Sequence, residues 1–210
     1  MQNPLFDPDP KDCALNLLPK DGVVHYHPKI FDGLHSTQLM GQLQNSLKWE
    51  ADQLIMFGKK ITTRRKVAWA GDPSCTYTYS GVLKLPQAWT PDLLLIKDRL
   101  EAISQCQFNS CLLNFYHDGD DGMGWHSDDE KELDPHSPIA SLSLGAQRKL
   151  AFRHKKDKEK ISLFLENGSA LIMHAPTQEF WHHALLKTKT ISDARINLTF
   201  RKIIPRDQSI

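Results

Sequence analysis

The sequence predicts an α+β chain, mainly β, with its helices early and a jelly-roll-like β-sandwich in the C-terminal half. Three observations carry this. Two segments with helical spacing and start signals fall before residue 106, whereas short runs of strand-forming residues dominate after it. Those runs recur at roughly 8–12-residue spacing between Gly, Pro, Asn and Asp, which suits a sandwich or barrel rather than alternating βαβ units. No internal repeat or low-complexity tract interrupts the pattern.

Residues 1–20 are rich in Pro and Asp and have little periodicity, so they are expected to form an extended N-terminal arm. Val23, Val24 and Tyr26, with Ile30 and Phe31, are expected to make one short strand. Ser36 or Thr37 can cap a helix over 37–48 that gathers Leu39, Leu43 and Leu47 on one face. Leu54-Ile55-Met56-Phe57 is apolar and meets a turn signal at Gly58. Lys59, Lys60, Arg64, Arg65 and Lys66 follow as a basic loop, and Trp69, Tyr77 and Tyr79 come next. An apolar tip beside cations and aromatics suits contact with a duplex, because phosphates attract the cations and an inserted ring can replace a lost stacking partner. On composition alone, a solvated basic segment with Phe57 in the core is the commoner case.

Thr76 to Tyr79 alternates as a strand ending at Gly81, and Pro91 opens a helix over 91–105 with acids in its first turn. Phe108 to Tyr116 reads as a strand entering a Gly/Asp-rich turn. Beyond a loop at 134–138 come strands at 139–144, 147–155, 161–165 and 170–174, with a charged hairpin tip at 155–160 and an Asn167-Gly168 turn. This gives an arm over 1–20, a helical and aromatic section over 21–106 and a β core over 107–205, the last two forming one continuous domain.

The composition narrows the function classes. A net charge of +1 excludes a globally basic nucleic-acid protein, so any such footprint is a local patch. Cys13, Cys75, Cys106 and Cys111 form no C-x-x-C pair and follow no signal-peptide pattern, which points to a reducing compartment. No apolar run is long enough to span a bilayer. A soluble intracellular protein with no membrane partner is expected, cytoplasmic in a bacterium or nuclear in a eukaryote, and monomeric.

The chemistry centres on Asn114 to Asp129, N-F-Y-H-D-G-D-D-G-M-G-W-H-S-D-D. In extended backbone His126 and Asp128 project to the same side and can reach one divalent ion. Two His and one carboxylate with open positions form the facial set of non-haem Fe(II) oxygenases. His182 or His183 offers the third ligand, and the residues alone leave the two open. The terminal run R-I-N-L-T-F-R alternates strictly, so Arg195, Asn197, Thr199 and Arg201 share one face. Two arginines on a ligand face are costly unless they meet anions, and a dicarboxylate would supply those. Asn114 and Tyr116, again at i and i+2, could add hydrogen bonds. A zinc hydrolase could use the same ligand types but gives no reason for the arginines.

These motifs, together with S-P-I-A-S-L-S-L-G-A, F-R-H-K and W-H-H, resemble the AlkB family of nucleic-acid dealkylases from about residue 50 to the C-terminus. The resemblance implies a double-stranded β-helix (jelly roll) core with N-terminal helices and a nucleotide-recognition lid. It implies Fe(II), 2-oxoglutarate and O2 as cofactors, with His126, Asp128 and His183 as both catalytic residues and iron ligands. It further implies that Arg195 binds the far carboxylate of 2-oxoglutarate and that Asn114, Tyr116, Asn197, Thr199 and Arg201 complete that pocket. The nearest subgroup repairs duplex DNA by oxidative demethylation of N1-methyladenine and N3-methylcytosine with base flipping. Phe57, followed by Gly58, then occupies the place of an inserting finger. Tyr79 and His126 would sandwich the flipped base, with Tyr77 and Asp129 at its edge and Glu130 also on the substrate side, and Arg65, Arg153, His154 and Lys155 would hold the backbone. Tyr79 stands where Phe is common and His182 where Tyr is usual. Alkylated double-stranded DNA is the favoured partner, with single-stranded DNA or RNA as other candidates. A same-fold dioxygenase acting on RNA or protein, or a non-catalytic reader of modified nucleic acid, is the alternative.

Overall fold

In the computed structural model, which describes residues 15–56, 59–75, 77–79 and 82–204, the first strand stops at a proline. The strand, β1 (Val23–His27), ends one residue before Pro28, which has no N–H to offer a ladder. Ile30 and Phe31 therefore lie outside it, and Phe31 is buried among core residues instead. Helix α1 (Gly33–Ser46) starts earlier than its sequence suggests, because Asp32 is the cap and accepts from the His35 N–H at 2.8 Å. Ser36 is fully buried, facing Phe31 rather than capping.

The chain continues through β2 (Glu50–Met56), β3 (Lys59–Gly71), β4 (Tyr77–Tyr79), β5 (Val82–Lys84) and α2 (Pro91–Ser104). Thr90 caps α2 through Leu93 N, and Pro91 sits at its first position, where a missing N–H is harmless. Next come β6 (Ser110–Tyr116), β7 (Met123–His126), β8 (Ile139–Gly145), β9 (Arg148–His154), β10 (Lys160–Leu165) and β11 (Ser169–His174). The short helix α3 (Thr177–Phe180), β12 (Trp181–Leu185) and β13 (Arg195–Arg201) complete the order. The segment expected as a basic loop is strand throughout its described length, running antiparallel to β2.

Two sheets face each other. The larger has the order β1-β11-β8-β13-β6-β3-β2 and the smaller β10-β9-β12-β7, with β4 and β5 as a separate pair. This is the jelly-roll arrangement, mainly β with few helices. The outer face of the larger sheet carries Leu142, Leu144, Ile196, Leu198 and Phe200 against Leu39 and Leu43 of α1 and Leu93, Ile96 and Leu100 of α2, all buried. Each such side chain contributes about 1.5–3 kcal/mol by leaving water, and Leu43→Ala would cost roughly 2–5 kcal/mol. A second cluster, including Val24, Leu150, Phe152, Leu171, Met173 and Trp181, lies between the sheets. Gly168 turns β10 into β11 at φ +81°, where an added Cβ would lie 2.2 Å from the Phe31 carbonyl oxygen.

Strand alternation thus sends apolar residues of β13 outward to the helices and its polar ones into the sandwich. The interior holds the site.

Candidate active site

His126 ends β7 and His183 lies on β12, and the two are direct cross-strand partners. Asp128 lies just past β7, where its own N–H donates to Gln178 Oε1 at 2.9 Å and Ser127 Oγ donates to the Trp181 carbonyl at 3.0 Å. The donor atoms of His126, Asp128 and His183 all fall within 4.8 Å of one another, and they form the one such group among the described residues. His126 Nε2 is 3.5 Å from Asp128 Oδ1. Two donors at right angles on one ion, each at about 2.0–2.2 Å, stand roughly 3 Å apart, so that gap would close by about half an ångström. His126 Nδ1 lies 2.9 Å from the Gly124 carbonyl, which fixes the ring and leaves Nε2 for a metal.

Electrostatics prepare the donors. Burial pushes His183 down to about 4, so the imidazole is neutral at pH 7 and able to ligate. Burial alone would raise Asp128, but Arg201 and the His126 hydrogen bond hold its carboxyl well below the usual range. Burial lowers His126, yet its bond to Asp128 and the charge there leave it raised overall.

A cavity of about 170 Å³ opens beside these three residues, lined also by Asn114, Tyr116, Ser141, Arg195, Asn197, Thr199 and Arg201. Register explains the grouping: Asn197 is opposite both Asn114 and Ser143, and Thr199 is opposite Ser141. Arg195 is 1 % exposed and donates to Ser143 Oγ at 2.9 Å and Asn197 Oδ1 at 2.8 Å. It makes no ion pair with any described residue, and its Nε has no partner. Burial drags its pKa down to about 10. A buried guanidinium without an anion, beside a facial His/Asp/His group, fits ferrous iron and a dicarboxylate cosubstrate.

Other residues depart from expectation. Arg201 lines the cavity, but its Nη2 is 3.1 Å from Asp128 Oδ1 and its Nη1 is 3.1 Å from Glu130 Oε1. Arg65, expected at the DNA backbone, is 5 % exposed and donates to Asn114 Oδ1. His154, also expected there, is 3 % exposed between Asp157 (2.9 Å) and Asp21 (3.3 Å), edge-on to Trp181. In strand β9 only alternate residues face solvent, so the interior takes His154 while Arg153 faces out and covers the Trp125 ring at 4.3 Å. Lys155 donates to the Gln178 carbonyl at 2.9 Å and lies 4.0 Å from exposed Asp129. Tyr77 and Tyr79 are on β4, opposite Lys84 and Val82. Phe57 and Gly58 lie outside the described residues.

Four further polar residues support the site without being among those expected there. Ser141 and Ser143 alternate with Ala140, Leu142 and Leu144, so period two marked a polar inner face. Arg148 is buried and donates to the carbonyls of Asp118, Gly119, Asp121 and Leu186, binding the Gly/Asp turn to β9. Gln178 gave no signal, because its role depends on α3 turning it back toward Asp128.

The chain matches the family described as the 2OG-Fe(II) oxygenase superfamily over residues 23–201. It is 39 % identical over 187 residues to DNA oxidative demethylase ALKBH2 of Mus musculus, covering 84 % of this chain and 78 % of that protein. The human ALKBH2 is likewise 39 % identical, covering 83 % and 71 %. Alpha-ketoglutarate-dependent dioxygenase alkB homolog 3 of Mus musculus is 34 % identical, covering 85 % and 65 %. The solved structure of OsALKBH1 shares the fold at TM-score 0.60 and 15 % identity, covering 85 % of this chain and 96 % of that one. The family match runs from β1 to the last residue of β13 and so takes in every residue of the cavity. The chain belongs to the 2-oxoglutarate–Fe(II) oxygenase superfamily and, within it, to the AlkB family of dioxygenases.

Proposed function

We propose that this dioxygenase repairs alkylated DNA by oxidative demethylation, removing N1-methyl groups from adenine and N3-methyl groups from cytosine, and that it works on duplex DNA by flipping the damaged base. The observation that carries the reading is Arg195, a buried cation without a counter-ion, aimed into the same cavity as the His126, Asp128 and His183 donors. The relatives named as DNA oxidative demethylases supply the substrate class.

His126, Asp128 and His183 would hold the iron. Arg195 would take the far carboxylate of 2-oxoglutarate, with Asn114, Tyr116, Asn197 and Thr199 around it. When bound, the ferrous centre with 2-oxoglutarate and O2 supplies oxidation of the alkyl carbon, after which the hydroxyalkyl base releases aldehyde. The protein positions and shields. A wider cavity of about 530 Å³ shares Asp128, Glu130 and Arg201 with the smaller one and also carries Asp129 and Lys155. Its carboxylates suit the cationic ring that N1- or N3-methylation creates. An alkyl group on the pairing edge also weakens the base pair, which lowers the cost of flipping. Tyr77 and Tyr79 would contact the base, Phe57 and Gly58 would form the inserting tip, and outward Arg153 would meet phosphate. We place the enzyme in a reducing intracellular compartment, acting as a monomer.

The test follows succinate and formaldehyde on methylated duplex and single-stranded oligonucleotides. Formaldehyde should disappear in His183→Ala and Arg195→Ala. In Phe57→Ala it should fall on duplex but not on single strands. Succinate without formaldehyde from either DNA would overturn the substrate, and equal loss on both strand forms in Phe57→Ala would overturn the finger.

A further inference from the structure

Between the pairs Ala51↔Lys66 and Gln53↔Thr62, β2 spends one residue while β3 spends three, Thr63, Arg64 and Arg65. A bulge of this kind bends the strand and re-aims its side chains. It falls where β3 parts from β6: the pairing of β3 with β6 begins at Lys66↔Phe115, and before that, among the described residues, β3 has only β2 as a partner. From Thr62 back to Lys59 the described part of β3 pairs with β2 alone.

The bulge is pinned on both sides. Outside, Arg64 Nη2 donates to Asp118 at 2.8 Å. Inside, Arg65 donates to Asn114 Oδ1 and hydrogen-bonds Tyr116. Both of those residues line the small cavity. A guanidinium can only donate, so Asn114 must turn its oxygen toward Arg65. Its NH2 group is then left for the cavity, as a carboxylate there would require. On β13, next to β6, Arg195 likewise takes the Asn197 oxygen, but there the Asn197 NH2 donates to Thr199 Oγ1 at 2.9 Å.

We propose that Arg65 is a positioning residue that orients Asn114 and Tyr116 for the cosubstrate and, through the bulge, couples occupancy of that pocket to the hairpin's hold on DNA. The inference rests on the 2-oxoglutarate and DNA readings above and gives Arg65 a task other than phosphate contact. A bound carboxylate tightens Asn114 and Tyr116 on Arg65, and the bulge, with Arg65 as one of its residues, stiffens with them. By linkage, DNA on the hairpin then favours the cosubstrate by the same factor.

The experiment uses full-length protein loaded with Mn(II) and the unreactive 2-oxoglutarate analogue N-oxalylglycine. Calorimetry gives the analogue's affinity, and fluorescence anisotropy gives duplex affinity with and without it. Wild type should bind duplex more tightly with the analogue present. Arg65→Met should weaken the analogue by roughly ten- to hundredfold, as loss of an outer-layer partner does. It should also abolish the analogue's effect on duplex while leaving analogue-free duplex affinity unchanged. Arg65→Lys keeps the charge without the fork and should behave in the same way, so it serves if the Met variant folds poorly. Arg64→Ala, which cuts only the outer pin, should leave analogue affinity as in wild type. Arg65 variants with normal analogue affinity would overturn the proposal. So would an equal loss of duplex affinity with and without analogue together with a shallower salt dependence, since that is the signature of a phosphate contact. Wild type that binds no analogue would overturn the cosubstrate reading itself, and this inference with it.

Discussion

Arg201 Nη2 lies 3.1 Å from Asp128 Oδ1, so the last arginine of the terminal strand is ion-paired to a residue of the metal-binding group. The two side chains are 11 % and 4 % exposed. Arg195, six positions earlier on the same face, has no such partner among the described residues. Two arginines that look equivalent in R-I-N-L-T-F-R therefore differ in their surroundings, one ion-paired to a buried carboxylate and one hydrogen-bonded only to the neutral Ser143 and Asn197 side chains among the described residues.

Arg201→Met should destabilise the metal-free protein by about 3 kcal/mol, because it leaves Asp128 buried without its cation. Asp128 has a depressed folded pKa, so its stabilising contribution is present above the ordinary carboxylate range and is lost only in acid. The variant would lack that contribution already at neutral pH. Saturating Mn(II) should shrink the deficit, since the ion replaces the guanidinium as counter-charge. Urea unfolding with and without metal measures both. A deficit unaffected by metal would mean that the two residues are not coupled.

The metal-free protein should lose stability as pH falls from about 6.5 toward 4. His183 titrates near 4 when folded and near 6.5 when unfolded, so the unfolded chain takes up the proton first. The loss should reach about 3 kcal/mol by pH 4, at 1.36 kcal/mol per unit. His183→Gln should flatten this part of the profile in equilibrium unfolding. An unchanged slope in that variant would assign the acid sensitivity elsewhere.

Much of this site was legible because strands carry it. Period two places Asn197 with Arg195 on a shared face whatever the sheet order, whereas Asp128 lies past the end of β7 and is set beside His126 by the Ser127–Trp181 and Asp128–Gln178 hydrogen bonds. Period two also splits His182 from His183 and Arg153 from His154, so treating Arg153, His154 and Lys155 as one surface run ignored alternation that the sequence already displayed. Arg65 was beyond reach for another reason. A bulge breaks the period, and nothing in K-K-I-T-T-R-R-K marks which arginine turns inward. The helix start at Asp32 was misjudged because Ser36 is as good a capping residue and only packing sends it into the core.

Arg195→Met should separate stability from function. A buried guanidinium without an ion pair gives little net stability, and an apolar side chain of similar length can be neutral or stabilising in its place. Thermal unfolding of the metal-free variant should therefore match or exceed wild type, while N-oxalylglycine affinity falls by at least about tenfold, as expected for loss of a bidentate carboxylate contact. A variant that is both unstable and normal in analogue binding would make Arg195 a structural residue like Arg148.

Arg148 supplies the opposite case. Its guanidinium donates to four carbonyls, those of Asp118, Gly119 and Asp121 in the turn before β7 and of Leu186 after β12. The turn is also tied at Gly119, whose N–H donates to the Ile191 carbonyl at 2.8 Å and whose carbonyl accepts from Thr188 N at 2.9 Å. Gly119 is packed so closely against the Thr188 carbonyl that a Cβ would lie 2.1 Å from it, and the Asp121 carboxylate is engaged with His117 N and Nδ1. Arg148→Met would leave the carbonyls of Asp118, Asp121 and Leu186 without this donor, while Gly119 keeps the bond from Thr188 N; at about 1–3 kcal/mol each, partly relieved by water, a loss of roughly 3 kcal/mol is expected. Because the turn feeds β7, amide exchange at Met123 to His126 should quicken more than in β13. Uniform acceleration across both strands would show that Arg148 acts on global stability alone, without a local hold on the strand that presents His126.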